Sequence, residues 1–131
     1  MTSFSVDLPF KPIPKGRPRV CNGRAYTPKR TKSFENDVGV IVRCKMNQLG
    51  IKKFKEGVSV SVIFNFKTTK ESIVGEFNHT TTSDLDNLVK SVLDAMNGIV
   101  YDDDRQVFHI EAYKRWSTED GINLRISDGI F

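Results

Sequence analysis

Residues 83–107, SDLDNLVKSVLDAMNGIVYDDDRQV, decide the reading of this 131-residue chain. Leu85, Leu88, Val89, Val92, Leu93 and Met96 recur at i, i+3, i+4, i+7, i+8 and i+11, which is one face of an amphipathic helix. Ser83 or Asp84 can cap its first orphan amides, and Gly98 behind Asn97 supplies a stop. The acidic turn Asp102-Asp103-Asp104 then leads into a strand beginning at Val107.

The pattern extends outward in both directions. Upstream, Val58, Val60, Val62, Phe64 and Phe66 alternate with Ser59, Ser61, Ile63, Asn65 and Lys67, which predicts a half-buried strand. Before it, Phe34, Val38, Ile41, Val42 and Leu49 mark a helix over about Thr31–Leu49, capped by Thr31 or Ser33 and closed by Gly50. Gly39 inside that helix costs about 1 kcal/mol relative to alanine, which suggests a close helix contact. Phe4, Val6 and Leu8 read as a short first strand ending at Pro9. Between strand and helix elements, residues 68–83 are polar, with Ile73, Val74 and Phe77 as candidate anchors. Downstream, Val107–Lys114 reads as a strand, Glu119-Asp120-Gly121 as a turn, and Ile122, Leu124 and Ile126 as a last strand. The order β-α-β-α-β-β predicts a single α+β domain over 1–131, a small mixed sheet with two helices and a basic N-terminal arm at about 10–30.

The charge is unevenly placed. Net charge is +4, from 20 Lys+Arg against 16 Asp+Glu. Residues 10–34 hold eight of those bases and no acid, leaving 12 bases against 16 acids elsewhere. All five prolines lie in the first 28 residues, so this stretch reads as extended and stiff. A basic arm on a slightly acidic body points to a polyanionic partner, although a solvated charged loop would look similar.

Several classes drop out. No apolar run is long enough to span a membrane. The N-terminus has neither the basic nor the apolar region of a secretory signal. Cys21 and Cys44 are too few and too far apart for a disulfide framework or a zinc ribbon, which fits a reduced, cytoplasmic protein. His79 and His109 are too separated for a zinc site. Neither a GxxxxGK[ST] loop nor a GxGxxG motif occurs, so no small-molecule cofactor is expected.

The acids are the chemical signal. Asp84, Asp86, Asp94, Asp102, Asp103 and Asp104 fall within 21 residues, with Lys90 as the one base among them. Clustered carboxylates repel unless a cation sits between them, and hard divalent cations take oxygen ligands. With a phosphodiester substrate, a divalent cation there supports in-line hydrolysis. Plainer roles also exist. Asp84 can cap the helix and Asp86 can complement its dipole. The triplet can be a turn, and Lys90 can pair with Asp86 and Asp94 at i−4 and i+4.

At these residues the chain resembles RusA-type Holliday junction resolvases. Asp84-Leu85-Asp86-Asn87-Leu88-Val89-Lys90, Leu93-Asp94-Ala95-Met96-Asn97-Gly98 and Asp103-Asp104-Arg105-Gln106-Val107 look like the signature of that family. Lys15-Gly16-Arg17-Pro18-Arg19 and Arg24-Ala25-Tyr26-Thr27-Pro28 resemble the arm of its phage-type members. The likeness covers about Phe4 to Arg115. It implies a homodimeric endonuclease that uses Mg²⁺, with Mn²⁺ as a substitute, and cuts four-way DNA junctions by paired symmetric nicks in recombination and repair. It places the catalytic set on Asp84, Asp86, Lys90 and Asp104. Metal ligation falls on Asp84, Asp86 and Asp104, with Asp103 as a further, less essential acid. Asp94 matches a helix acid with a supporting role. Many relatives carry Lys-Pro before the first aspartate, where this chain has Thr82-Ser83. Within the arm, Lys15, Arg17, Arg19, Arg24, Lys29 and Arg30 are expected to meet backbone phosphates. Two other readings stay open: a less selective metal-dependent, structure-specific nuclease, and a non-catalytic junction-binding protein.

Overall fold

The computed structural model describes residues 1–16, 19–26, 28–77, 80 and 83–130, with the side chains of 19–21, 25 and 26 left aside. In chain order it comprises β1 (Ser3–Leu8), β2 (Arg19–Cys21), β3 (Arg24–Tyr26), α1 (Lys29–Leu49), β4 (Val58–Lys67), α2 (Leu85–Met96), β5 (Val107–Ser117) and β6 (Gly121–Ser127). The main sheet is ordered β1-β6-β4-β5. Strand β4 pairs parallel with β5, while β6 runs antiparallel to both β4 and β1. This is the mixed sheet with two helices that the sequence predicts.

The register explains the core. Phe4, Ile126 and Val60 share one cross-strand row. Val6, Leu124 and Val62 form the next, and Leu8, Ile122 and Phe64 the third. Because side chains alternate across a strand, all nine point to one face, and all are buried. Against them lie Phe34, Val38, Val42 and Met46 of α1 and Leu88, Val92 and Met96 of α2. These are the apolar stripes of two amphipathic helices. The two helices meet at Gly39, where a Cβ would stand 2.9 Å from Ile99 Cδ1 and 3.4 Å from the Ala95 carbonyl oxygen. Among the described residues no helix is long and apolar enough to cross a membrane.

The opposite face carries a polar ladder across all four strands. Arg115 Nε and Nη2 donate to Asn65 Oδ1 at 2.8 Å and Asn123 Oδ1 at 3.1 Å. Asn65 Nδ2 donates to Asn123 Oδ1 at 2.8 Å, and Asn123 Nδ2 donates to Asp7 Oδ1 at 2.8 Å. Asn65 is buried within this ladder, and Ser59 on the same strand is buried too, so β4 is covered more fully than a half-buried strand. Its interior position, with β5 on one side and β6 on the other, accounts for this.

Four local expectations change. The arm is not wholly extended: β2 and β3 form a hairpin about Asn22 and Gly23, whose φ values of 52° and 77° are those of a tight I′ turn. Helix α1 starts at Lys29 behind Pro28, and neither Thr31 nor Ser33 is its cap. A proline at a helix start loses no intrahelical bond, because that amide would be an orphan anyway. Strand β5 runs on to Ser117 because its pairing with β4 continues to Lys67, and the loop before α2 adds to it, with Gly75 N–H donating to the Trp116 carbonyl at 2.8 Å. Val74 and Phe77 are exposed rather than core anchors, although Phe77 meets Tyr113 edge-on at 5.4 Å.

The polar ladder generates one expectation. Asn123→Ala removes the shared acceptor of Asn65 and Arg115, leaving a buried amide unpaired. Urea denaturation should show a loss of about 1–3 kcal/mol with an unchanged m-value.

Candidate functional site

The site is built on one face of α2. Asp86, Lys90 and Asp94 are spaced i, i+4 and i+8, so they line the same side of the helix. Lys90 Nζ lies 2.9 Å from Asp94 Oδ1 and 2.9 Å from Asp104 Oδ2. The second contact ties α2 to the 3₁₀ turn Asp104–Gln106 that precedes β5. Lys90 thus holds Asp104 beside the helix face.

The turn itself is stapled in place. Gln106 Nε2 donates to the carbonyls of Phe54 and Glu56, both at 2.9 Å, and its Oε1 accepts the Asp102 N–H at 2.9 Å. Asp103 Oδ1 caps the turn by accepting the Arg105 N–H at 2.9 Å. Asp102 points elsewhere, to Lys53 Nζ at 2.8 Å. The three consecutive aspartates therefore have different surroundings, and Asp104 is the one held on Lys90. Sequence reasoning used Gln106 only as a landmark. Its three bonds run to main-chain atoms, and no residue pattern signals such partners.

Tyr101 lies beneath the acids, fully buried, with its hydroxyl donating to the Leu93 carbonyl at 2.7 Å. Burial pushes its phenol up strongly, and the nearby charges of Asp104, Asp94 and Asp103 add to that. Asp84 and Asp86 lie at the start of α2, where Asp86 is exposed and its Oδ1 accepts the Asn87 N–H at 2.9 Å. Asp84 occupies the cap position without a side-chain cap bond.

The donor set is made of carboxylate oxygens, which suits a hard divalent cation such as Mg²⁺. Among the described residues, no three His, Cys, Asp or Glu side chains already converge as a metal cage. Asp104 instead faces the Lys90 ammonium, which balances its charge.

The arm residues divide. Lys15 turns inward, with Nζ 2.6 Å from Glu35 Oε1 and 3.0 Å from Asp94 Oδ2. Arg24, Lys29 and Arg30 are exposed. Arg19 lies on β2, whose side chains are left aside, and Arg17 falls outside the described residues. Two ammonium groups therefore hold Asp94. Burial would push its carboxyl up, but hydrogen bonds from Lys90 and Lys15 outweigh this and hold it below the ordinary value of 3.8.

A depressed folded value means that Asp94 stabilises the native state above its unfolded pKa, and that this contribution is lost as pH falls through the folded value. Denaturation followed from pH 6 down to about pH 2 should show that loss below the ordinary carboxylate range. Asp94→Asn should flatten that part of the profile.

The chain is 28% identical over 130 residues to an uncharacterized protein, YqaN, of Bacillus subtilis (strain 168), covering 90% of this chain and 91% of that one. The family model described as endodeoxyribonuclease RusA matches residues 9–127, a span that holds the arm, both helices and every acid of the candidate site. The chain belongs to the RusA endodeoxyribonuclease family.

Proposed function

We propose that this protein resolves four-way (Holliday) DNA junctions in recombination and repair, as a Mg²⁺-dependent homodimer that makes paired symmetric nicks. The observation that carries the reading is the placement of Lys90 between α2 and Asp104, on the face that also bears Asp86 and beside the root of the basic arm. Family membership supplies the nuclease class.

Each residue then has a task. Arg24, Lys29 and Arg30, together with Arg17 and Arg19, contact backbone phosphates and deliver affinity without sequence reading. Asp84, Asp86 and Asp104 would hold Mg²⁺, with Asp103 as an auxiliary acid. The chemistry supplied there would be a lowered pKa for the attacking water and charge neutralisation at the scissile phosphate. Lys90 works as an ammonium. Hydrogen bonds to Asp104 and Asp94 raise its pKa, which favours the protonated, donating form. Swung from Asp104 to a phosphoryl oxygen, it would stabilise the charge that grows there in the transition state. An isologous dimer presents two matched sites to two equivalent strands, which suits symmetric cutting.

Cleavage of a mobile four-way junction in Mg²⁺, beside a matched linear duplex, tests the reading. Paired nicks in the junction alone are expected. Asp86→Asn should abolish them while junction binding persists, and Lys90→Ala should slow them by about 100- to 1,000-fold, the range seen when one charge-stabilising donor is removed. Equal cutting of both substrates would favour a less selective nuclease, and binding without cutting a non-catalytic junction binder. For the arm, the triple variant Arg24→Ala, Lys29→Ala and Arg30→Ala should weaken junction binding. The slope of log K against log salt should fall by about 0.9 for each phosphate that the variant no longer neutralises. A parallel titration of wild type and variant over about 50–200 mM salt checks this.

A further inference from the structure

The basic arm is rooted in the site rather than in solvent. Phe10 and Ile13 pack against the core, and Phe10 meets Phe34 edge-on at 6.5 Å. The Lys15 N–H donates to the Asn87 carbonyl in the first turn of α2 at 2.9 Å. The next N–H, of Gly16, donates to Thr31 Oγ1 at 3.1 Å. A Cβ on Gly16 would lie 2.6 Å from that oxygen and 2.9 Å from Pro28 Cγ, so the chain passes there only as glycine. This seating directs Lys15 inward.

The result is a row of five alternating charges, Glu35, Lys15, Asp94, Lys90 and Asp104, running from α1 to the turn before β5. Every link is 2.6–3.0 Å long. Asp94 is its hinge. One carboxylate oxygen takes Lys90 and the other takes Lys15, so the carboxylate plane is held from both sides. Lys90 has a flexible stem and its side chain is 52% exposed. Its two carboxylate partners define where its ammonium sits. Lys15 is also flanked by two carboxylates but its side chain is only 21% exposed, so its ammonium is far less able than that of Lys90 to reach a phosphate.

We infer that Lys15 is a positioning residue: it orients Asp94 and, through Asp94, the ammonium of Lys90. It does not act as a phosphate contact of the arm. The inference rests on the nuclease reading for its consequence, and on the charge row alone for its geometry.

The test uses the intact chain with Lys15→Met, which keeps most of the stem and removes the charge, and Lys15→Arg as the conservative variant. Three quantities are read: single-turnover cleavage of the four-way junction, junction affinity with its salt slope, and the ¹⁵N NMR signal of the Lys90 side-chain ammonium. Lys15→Met should slow cleavage by up to about 100-fold, the scale of loss when a catalytic group is displaced by about 1 Å. Affinity and salt slope should stay at wild-type values, and the Lys90 signal should lose order. Lys15→Arg should restore both rate and signal. Adding Lys15→Met to Asp94→Asn should cause no further loss. A salt slope that drops by about 0.9 in Lys15→Met would overturn the inference in favour of a phosphate contact. An unchanged Lys90 signal would overturn it as well. Should the wild type cut no junction, the nuclease reading falls, while the Lys90 signal still decides what Lys15 does. Lys15→Gln, which keeps a hydrogen-bond donor, takes the same measurements where the methionine variant does not fold.

Discussion

The parallel pairing of β4 with β5 is the constraint on which the rest of the molecule depends. Parallel neighbours cannot be joined by a tight turn, so the chain must return along the sheet, and it does so as α2. That return brings the residues before β5 back beside the start of β4, where Gln106 bonds the carbonyls of Phe54 and Glu56. It also lays a helix face bearing Asp86, Lys90 and Asp94 alongside the turn bearing Asp104. The site is thus a by-product of a crossover, with one acid on each side of a lysine.

Charge compensation then organises what the crossover brings together. Three carboxylates lie near a buried tyrosine, an arrangement that repulsion would loosen. Two lysines from different parts of the chain offset it. Lys90 is local to the helix. Lys15 comes from the arm, seated by its own amide on Asn87 and by the passage of Gly16 past Thr31. Ion pairs at exposed positions contribute little singly, but networks with partly buried members hold their geometry better. The Glu35 and Asp94 side chains are 19% and 15% exposed, which makes this a network of the partly buried kind.

Much of the fold was legible because it is encoded by local period. The 3.6-residue stripe from Leu85 to Met96 returns as α2, and the alternation from Val58 to Phe66 returns as β4, although both faces of that strand are covered. The β2–β3 hairpin turns at Asn22-Gly23, a pair suited to positive φ, but the prolines around it have the pattern of an extended arm. The start of α1 was obscured because Thr31 and Ser33 look like caps, whereas Thr31 in fact serves Gly16. For the site, the grouping of Asp86, Lys90 and Asp94 followed from helical spacing. The bond from Lys90 to Asp104 crosses 14 residues and needed the crossover to be seen.

By itself, then, the sequence determined the elements, their amphipathic faces, the family signature and the acidic character of the site, because each depends on residues close together in the chain. Only the tertiary structure decided the strand order, the separate fates of Asp102, Asp103 and Asp104, and the inward turn of Lys15. Those depend on contacts such as Lys15 with Asp94 and Gln106 with Phe54, made between distant residues. A basic side chain reads the same in sequence whether it faces solvent or a carboxylate. Its partner is chosen only when the sheet and its crossover bring the two within hydrogen-bonding distance.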